Sequence, residues 1–528
     1  MRRRQFLASG LATGAALAAP SVVRAEASRV IKFIPQSDVT VIDPIWSTAY
    51  VSRNHGMMVF DTLFGMDGNY RPQPQMVEGF TTEPGGLLWN LTLRDGLRFH
   101  DGEPVMARDC VASIRRWGAR DAFGAFLMAA TDELSAPDDR TIRFRLKKPF
   151  PLLPDALGKI STPFLAIMPE RLASTDPFKQ VTEMVGSGPF RFKKDERVVG
   201  SRTVYERFDG YRPREGGTAD WTAGPKRVNV DRVEWIVIPD DSTAAGAMQS
   251  GEMDWWELPT NDLIPVLKKS GKIKVEVKDP TGIIGFMRMN CLQPPFDNPA
   301  IRRALFGAMN QQDFVHAIAG TDPSAGRTGV GVFCPGTALA TDVGMEILNG
   351  PRNLDKVRAE IKAAGYNGEK VALMVATDVY YRKTMGDVGA EMLRGVGLNV
   401  EYQAVDWGTM VQRRENRGPV DKGGWSALFT TLSGLDLSTP TGHAFRATGE
   451  KGWIGWPNSP RIEALRAAWL DAPDLPAQQA IAADIQRQWW VDAPHLPIGQ
   501  WYQPAAYKAD LDGMVNGFPI FWNIARKG

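Results

Sequence analysis

The chain has 528 residues, of which 43% are hydrophobic, 23% charged and 9% aromatic. This composition is ordinary for a globular protein, and the length is sufficient for several hydrophobic cores, which argues against disorder and against a fibre. Four of the 62 basic residues lie in an N-terminal segment that we expect to be removed, which leaves 58 basic against 60 acidic residues. Such a balance offers no basic field for nucleic acid or for a membrane surface.

The first 25 residues, "MRRRQFLASGLATGAALAAPSVVRA", have the features of an export signal. A basic start is followed by a Gly- and Ala-rich apolar stretch and by a small-residue cleavage site that ends at Ala25. Arg3 and Arg4, followed by Gln-Phe-Leu, resemble the twin-arginine export signal. The alternative is a membrane anchor, but the stretch is interrupted by glycine and proline and is short for the span, which needs about 20 apolar residues. We therefore predict a soluble periplasmic protein, and we predict no lipid anchor because the first cysteine is Cys110.

Cysteine residues are few and widely spaced. Cys110, Cys291 and Cys334 match no metal motif, and three cysteines cannot all pair within one chain. Export to an oxidising compartment permits one disulfide, for which Cys291 and Cys334 are the candidates. Three buried apolar thiols are the alternative.

Patterns of catalytic residues are absent from the sequence. There is no G-x-S-x-G elbow, no phosphate-binding G-x-x-x-x-G-K-[ST] and no H-E-x-x-H, and the five histidines are scattered singly. His100-Asp101 precedes Gly102 and is typical of a turn rather than of an acid–base pair. "VGSGPF" (185–190) lacks the strand, helix and lysine of a phosphate loop, so we expect a turn there. We predict no enzyme, no cofactor and no metal site.

Several segments predict strands and helices of a mixed α/β protein. "KVALMVA" (370–376) and "NVEYQAV" (399–405) predict strands on either side of a helix in 380–397, which is a βαβ unit in a parallel sheet. We expect that helix to bury one stripe of side chains, namely Met385, Val388, Met392 and Val396. Alternating apolar residues around positions 89–93 and 142–146 predict antiparallel strands. Asn298-Pro299 and Ser459-Pro460 predict capped helix starts.

Tryptophan is frequent, with sixteen residues in the chain. Several lie in polar, loop-like surroundings: Trp46, Trp407, Trp425, Trp453 and Trp456. An indole offers a large apolar face at little rotamer cost and suits the wall of a binding cleft. The alternative for each of them is core filling.

The chain resembles a known family through motifs that occur in a fixed order. These include "VFDTLFGMDGNYRPQPQMVEGF", "WNLTLRDGLRFHDGEPVMARDCVASIRRW", "RVEWIVIPDDSTAAGAMQSGEMDW", "PPFDNPAIRRALFGAMNQQDFV" and the closing "NSPRIEALRAAWLDAPDLPAQQAIAADIQRQWW". Together they are similar to the bacterial extracellular solute-binding proteins of the peptide/nickel type, family 5. The resemblance covers nearly the whole chain after residue 25.

The resemblance implies an α/β, two-lobed periplasmic-binding-protein fold (class II, large type) with mixed sheets, a two-crossover hinge and an extra domain on the first lobe. Lobe I would comprise residues 26–59, 186–279 and 497–528, the extra domain 60–185, and lobe II 280–496. The two crossovers are expected near "KVEVKDPTGIIGF" and "HLPIGQWYQ".

The resemblance also implies site residues. In peptide-binding members, the segment that resembles "GGWSALFTT" (423–431) lines the cleft, its tryptophan packs on the ligand, and an aspartate three residues later pairs with the peptide ammonium group. Trp425 matches that tryptophan, but Leu428 stands at the position of the acid. Asp436 is the candidate to replace it, the alternative being a surface turn, and Asp406 is a weaker candidate.

Further cleft walls are expected from three aromatic residues. Trp407 matches a cleft tryptophan in lobe II, and Trp46 and Tyr50 are expected to face it from lobe I.

The leucine at position 428 bears on the class of solute. A buried ammonium without its carboxylate costs several kcal/mol, so Leu428 argues against ordinary free-amine peptides. A capped or cyclic peptide, an opine-like conjugate, an oligosaccharide or another ring-bearing molecule fits better, and nickel does not, because no ligand cluster is visible.

The function implied is that of a monomeric periplasmic protein that binds a small organic solute and delivers it to the permease and ATPase of an ABC importer. Two alternatives stay open. One is a ligand-sensing protein that presents its closed form to a receptor, and the other is a secreted hydrolase on the same scaffold, for which no nucleophile and base can be found in the sequence.

Overall fold

The computed structural model of the protein describes residues 29–527, so the predicted signal at residues 1–25 lies outside the described residues. The strands of the described part are, in chain order, β1 Val30–Ile34, β2 Phe64–Met66, β3 Pro72–Pro74, β4 Val77–Thr82, β5 Leu88–Leu93, β6 Thr131–Ser135, β7 Thr141–Leu146, β8 Phe190–Phe192, β9 Arg202–Arg207, β10 Arg232–Ile236, β11 Trp255–Trp256, β12 Ile273–Val277, β13 Ile283–Met289, β14 Gly326–Arg327, β15 Lys370–Ala376, β16 Asn399–Val405, β17 Ala427–Ser433, β18 His495–Trp501, β19 Pro504–Lys508, β20 Leu511–Asp512 and β21 Ala525–Arg526.

Helices connect most of these strands. In chain order they are α1 Tyr50–Val59, α2 Ala107–Gly118, α3 Ala122–Ala130, α4 Leu153–Leu157, α5 Glu170–Ala173, α6 Asp241–Ser250, α7 Ile264–Lys268, α8 Pro299–Ala304, α9 Gln311–Ala319, α10 Glu346–Asn349, α11 Leu354–Ala363, α12 Tyr380–Gly395, α13 Trp407–Arg413, α14 Pro460–Leu470 and α15 Leu475–Asp492. Among residues 29–527, none of the helices combines the length and the apolar character that crossing a bilayer requires.

Two large mixed sheets define two lobes. The first sheet has the strand order β12-β19-β11-β1-β10-β9-β8 and the second has the order β14-β18-β13-β17-β15-β16. The chain passes between these two sheets twice, through residues 278–282 after β12 and through residues 502–503 after β18. Each connection is only a few residues long, so the lobes are joined by two short, adjacent segments.

The second sheet contains the βαβ unit that the sequence predicts. β15 and β16 pair in parallel, from Lys370 opposite Asn399 to Ala376 opposite Val405, with α12 between them. β15 is an almost continuous apolar run because it lies inside the sheet and is covered on both faces, whereas β16 is the half-exposed edge strand.

The buried stripe of α12 differs from the predicted one. Met385 is buried as predicted, and so is Val396, which directly follows the helix, but Val388 and Met392 are only partly buried. The closest contacts are made through Gly386 and Gly389. A Cβ on Gly389 would lie 2.0 Å from the ring of Phe429. The side of α12 that contains Gly386 and Gly389 therefore packs closely against the sheet. A prediction based on large apolar residues does not identify this side of the helix.

A third, four-stranded antiparallel sheet of order β4-β5-β7-β6 belongs to a separate unit with its own core. Its strands show the expected alternation: Leu91 and Leu93 of β5 and Ile142 and Phe144 of β7 are buried, and the residues between them are not. Helix α2 packs Ile114 and Trp117 into the same core. These antiparallel strands are confirmed.

Both predicted capped helix starts are confirmed. The Asn298 side chain accepts the backbone N–H of Ala300 at 2.9 Å, and the Ser459 hydroxyl accepts that of Ile462 at 3.2 Å, each with proline at the first helical position. These caps satisfy backbone donors that have no partner in the first turn.

The segment "VGSGPF" is a tight crossing of two chain segments. A Cβ on Gly186 would lie 2.1 Å from the carbonyl oxygen of Val59, and the N–H of Gly188 donates to that same oxygen at 2.9 Å. The His100 Nε2 lies 3.0 Å from the Gly188 carbonyl oxygen. The glycines therefore serve close backbone contact before β8, as the turn prediction expects.

Candidate functional site

The cleft between the two lobes contains two neighbouring cavities of about 90 Å³ and about 300 Å³. The two cavities share Gln36 and Leu258 in their walls, so they are parts of one cleft. Arg53 and Glu257 line the smaller cavity from the first lobe, and Thr431 and Ser433 line it from the second. The larger cavity extends toward a group of residues at the start of α12 and α13, namely Asp378, Tyr380, Asp406 and Gly408.

A buried arginine lies at the base of the smaller cavity. The Arg53 guanidinium lies 4.3 Å from the ring centre of Tyr50 and 3.8 Å from that of Phe518, and its Nε donates to the Asn54 side-chain oxygen at 3.3 Å. Burial lowers the pKa of Arg53, and nearby anionic groups, among them Asp436, oppose that shift. The Arg53 guanidinium therefore lies between two aromatic rings, and carboxyl groups lie near it.

Two of the acidic residues near Arg53 are Glu257 and Asp279. Glu257 follows β11 and accepts the Gln36 backbone N–H at 2.7 Å; burial raises its pKa to about 7. Asp279 lies in the first crossing between the lobes and accepts the Ser433 hydroxyl at 2.8 Å. Both line the cavity, so the cleft presents carboxyl groups where a cationic group of a ligand could bind.

Tyr50 and Asp436 meet across the cleft. The Tyr50 hydroxyl donates to Asp436 Oδ2 and accepts the backbone N–H of Ser433. Asp436 lies in a 3-10 helix that follows β17, is buried, and leaves Oδ1 without a hydrogen-bond partner within the described chain. Burial raises the pKa of its carboxyl group. The acid is thus at the lobe interface and not in a surface turn.

Trp425 and Leu428 lie in the interior of the second lobe. Both are fully buried, and neither lines the two cavities. The Trp425 Nε1–H donates to the Arg414 carbonyl oxygen at 3.0 Å and its ring packs against Trp456. Leu428 pairs with Arg288 of β13 and Met374 of β15. In β17 the cavity is lined by Thr431 and Ser433, which share the other face of the strand, because side chains alternate with a period of two.

Trp46 and Trp407 are each covered by a guanidinium. Trp46 is half-buried, with Arg120 at 4.5 Å from its ring centre. Trp407 begins α13 and is buried, with the Arg382 guanidinium at 3.6 Å from its ring centre. Asp406 lines the larger cavity, but its carboxylate also caps α13 by accepting the Thr409 N–H at 2.8 Å.

The structure adds site residues that the sequence reasoning missed, namely Arg53, Glu257 and Asp279. One signal could have found the acids: Glu257 directly follows β11, and Asp279 follows β12 by one residue, where the strands end toward the second lobe. No comparable signal identifies Arg53, because its position in α1 is typical of an exposed helix residue.

All three cysteines have free thiols, so the disulfide between Cys291 and Cys334 is wrong. The alternative of three buried thiols is correct for Cys110 and Cys334, whereas Cys291 is only partly buried. Cys334 Sγ lies near the Thr281 carbonyl oxygen and Gln500. In the described part of the chain, no group of three His, Cys, Asp or Glu side chains is arranged to hold a metal ion.

Two lobes joined by two short crossings, with a charged cleft between them, define a solute-binding protein of the periplasmic type. The chain belongs to the bacterial extracellular solute-binding proteins, family 5, whose family model (Middle) matches residues 71–442. The resemblance inferred from the sequence is confirmed.

Individual relatives support the same assignment. The probable peptide ABC transporter periplasmic-binding protein y4tO of Sinorhizobium fredii (strain NBRC 101917 / NGR234) is 37% identical over 99% of both chains. The glutathione-binding protein GsiB of Pectobacterium atrosepticum is 27% identical over 81% of this chain and 79% of its own. The structure of Haemophilus influenzae OppA in complex with RPPGFSPFR has a TM-score of 0.77 and 16% identity, covering 94% of this chain and 99% of that chain, and confirms the two-lobed fold.

Proposed function

We propose that the protein is the periplasmic solute-binding component of an ABC importer and delivers a small organic solute to the permease. The observation that carries this proposal is the cleft itself, which is lined by charged and polar groups of both lobes and bridged by the hydrogen bonds of Tyr50 to Asp436 and Ser433. The relative y4tO, named as such a component of a peptide transporter, supports the same role.

The mechanism is a closure of the two lobes around the crossings at residues 278–282 and 502–503. A solute that contacts both lobes binds the closed form more tightly than the open form and so shifts the population toward closure. We assign residues 29–59, 186–279 and 502–527 to lobe I, 60–185 to the extra domain and 280–501 to lobe II. The boundary expected at residue 496 moves to 501, because β18 pairs with β13 in the second sheet. The closed monomer would then be the form that the permease recognises.

The solute is an amino-acid derivative, such as a peptide or an opine-like conjugate. Its cationic group would bind beside Glu257 and Asp279, the two acids that line the smaller cavity. In peptide-binding relatives an aspartate at the position of Leu428 is expected to bind this cationic group. Leu428 is buried inside the sheet, so Glu257 and Asp279 would take over that role. In this arrangement Tyr50 and Asp436 close the cleft. Trp46 and Trp407, expected as cleft walls, line neither cavity, and Trp425 is buried inside the second lobe.

The cycle involves binding alone. Burial lowers the pKa of His55 to about 3 and of His100 to about 4, which is unfavourable for a general base because the ideal catalytic pKa lies near the operating pH. In residues 29–527, none of the histidines hydrogen-bonds to a serine, threonine or cysteine side chain, which is the arrangement that an activated nucleophile needs.

The test is to identify the solute and to measure closure. The mature protein, purified from its own host, would be unfolded to release bound solute, which mass spectrometry identifies; the refolded protein would then be titrated with that solute by calorimetry and by small-angle X-ray scattering. We expect binding of one solute per chain with a smaller radius of gyration. Tight binding without compaction contradicts the closure mechanism, and chemical conversion of the solute by the purified protein contradicts the binding-only cycle.

A further inference from the structure

Four aspartates line the larger cavity of the cleft. Asp38 and Asp241 belong to the first lobe, and Asp378 and Asp406 belong to the second, so both lobes contribute acids to its wall. Among the described residues that line this cavity, none is a lysine, an arginine or a histidine. The wall of the larger cavity is therefore acidic and contains no basic group.

The four carboxylates have no ion-pair partner in the described part of the chain. Within residues 29–527, no nitrogen of a lysine, arginine or histidine side chain lies within 4.0 Å of any of them. By contrast, the buried Asp43 lies 2.6 Å from Arg116 and the buried Asp61 lies 2.7 Å from Lys226. The protein thus pairs acids of its interior with its own cations, but it does not pair those of the cavity.

Neighbouring N–H groups position the carboxylates without neutralising them. Asp38 Oδ2 accepts the Gly200 N–H at 2.8 Å, and Asp378 Oδ1 accepts the Trp407 N–H at 2.8 Å. Burial raises the pKa of Asp378, and the charge of Asp406 raises it further. Because like charges repel, closing the lobes around this cavity is unfavourable unless a cation enters it.

A buried serine beside Asp38 is an independent sign of a ligand site. Ser37 lines the same cavity and is only 8% exposed, and its Oγ has no hydrogen-bond partner among the described residues. Oδ1 of Asp38 is likewise buried and without a partner in residues 29–527. Since buried polar atoms are nearly always hydrogen-bonded, these two oxygens are acceptors for the N–H groups of a bound molecule.

The rest of the wall shows what kind of cation fits. The cavity has a volume of about 300 Å³, and in the described part of the chain no three acidic, histidine or cysteine side chains are arranged to hold a metal ion. Much of the wall is apolar, namely Ile34, Val237, Ile238, Trp256, Leu258 and Val379. Apolar walls with acids beside them suit a cationic head on an alkyl stem, because such a stem packs on apolar surface while its head stays in polar surroundings.

We propose that the larger cavity binds a cationic alkyl group of the solute, such as a lysine-like or arginine-like side chain. The two cavities share Gln36 and Leu258 in their walls, so one solute can occupy both. This inference rests on the proposed function and deepens it. The solute is a basic amino-acid derivative, with one cationic group beside Glu257 and Asp279 and a second among the four aspartates.

The test compares basic amino acids with uncharged ones of similar shape. The refolded, solute-free mature protein would be unfolded thermally in increasing concentrations of L-arginine or L-lysine, with L-citrulline and L-norleucine as the neutral counterparts, at constant ionic strength. We expect arginine or lysine to raise the Tm in a saturable manner, at concentrations at least about tenfold lower than the counterpart requires, because charge-assisted hydrogen bonds form only with the cation. The diamine 1,4-diaminobutane, which lacks the amino-acid part, should act more weakly than lysine.

The variants locate the response in the cavity. Asp241→Asn and Asp378→Asn remove one charge from each lobe and keep the acceptors for the Thr260 hydroxyl and the Trp407 N–H. Each should reduce the preference for arginine over citrulline about three- to fivefold, the effect of one partly exposed ion pair. Asp421→Asn is the matched control, since Asp421 is exposed, lines neither cavity and changes the net charge equally, and it should keep the preference of the wild type.

The inference is overturned by any of four results. These are no saturable response to either basic amino acid, an equal response to arginine and citrulline, a preference that both aspartate variants keep, which means binding elsewhere, and a response to 1,4-diaminobutane as strong as that to lysine, which means a site for free diamines. If Asp378→Asn does not fold, Asp241→Asn decides. A recovered solute that binds and closes the lobes but has no basic side chain overturns the subsite and leaves the proposed function intact.

Discussion

The hydroxyl group of Tyr50 donates a hydrogen bond to the carboxyl group of Asp436, which lies 386 positions further along the chain and in the opposite lobe. The same hydroxyl accepts the backbone N–H of Ser433. One side chain of α1 thereby connects the first lobe to the end of β17. Separation of the lobes would break this contact, so we expect it to contribute to the difference in free energy between a closed and an open form.

Tyr50→Phe removes these two hydrogen bonds and keeps the ring. We expect the affinity for the solute recovered from the native protein to fall about tenfold, since a hydrogen bond to a charged group contributes about 1.5–3 kcal/mol and part of this is regained by hydration in the open form. Isothermal titration calorimetry measures the change. Tyr211→Phe is the control, because Tyr211 donates to Asp61 at 2.9 Å within the first lobe. An equal loss of affinity in both variants would contradict a role of Tyr50 in closure.

Glu257 makes the stability of the solute-free protein depend on pH. Burial raises the pKa of Glu257 from 4.5 to about 7, so the folded protein holds this proton more tightly than the unfolded chain does. The resulting stabilisation is fully present below pH 4.5 and is lost as the pH rises through 7. We expect this group to lower the free energy of unfolding by about 3 kcal/mol between pH 4.5 and 8, and Glu257→Gln to remove that part. Urea unfolding across this range measures it, with the exposed Glu252→Gln as control. Parallel pH curves for wild type and Glu257→Gln would show that the pKa is not raised.

Leu428→Asp places the family's acid back at its position in the sequence. Since Leu428 is fully buried in the second sheet, we expect a loss of more than about 3 kcal/mol in the free energy of unfolding and no gain of affinity for free-amine peptides. Leu428→Met, which conserves volume, should cost less than about 1.5 kcal/mol. A stable Leu428→Asp protein that binds free-amine peptides more tightly would show that this position faces the ligand.

Gly186→Ala should destabilise the protein by about 1–3 kcal/mol, because the added Cβ would lie 2.1 Å from the carbonyl oxygen of Val59 and the two chain segments must move apart. Gly79→Ala is the comparison, since a Cβ there meets no atom within 4 Å, and we expect a change within about 0.5 kcal/mol. Thermal or urea unfolding distinguishes them. Equal effects would mean that the contact at Gly186 is not tight.

The export signal is tested by replacing Arg3 and Arg4 together with lysine. If the pair is read by the twin-arginine pathway, the precursor should accumulate in the cytoplasm, as cell fractionation and immunoblotting detect. Arg2→Lys, which leaves the pair intact, should still be exported. Normal export of the double variant would point to a different route.

The sequence by itself determined the family, the βαβ unit of β15, α12 and β16, the alternating strands β5 and β7 and the caps at Asn298 and Ser459. These features depend on local periodicity, on single capping residues or on the order of motifs, and all of these can be read along one chain. The buried face of α12 was only partly predicted, because it also depends on a contact that is distant in the sequence: Gly389 packs against Phe429, 40 positions away.

Only the tertiary structure decided which residues face the cleft. The strand parity of β17 directs Thr431 and Ser433 to the cavity and Leu428 to the interior, and the register that fixes this parity is set by pairing with β13 and β15. Likewise, Arg53 is an ordinary helix residue in the sequence, and it becomes a buried charge only when distant segments pack around it. The cost of burying a charge, and therefore its use for a ligand, arises from the loss of water, which the packing of distant segments determines.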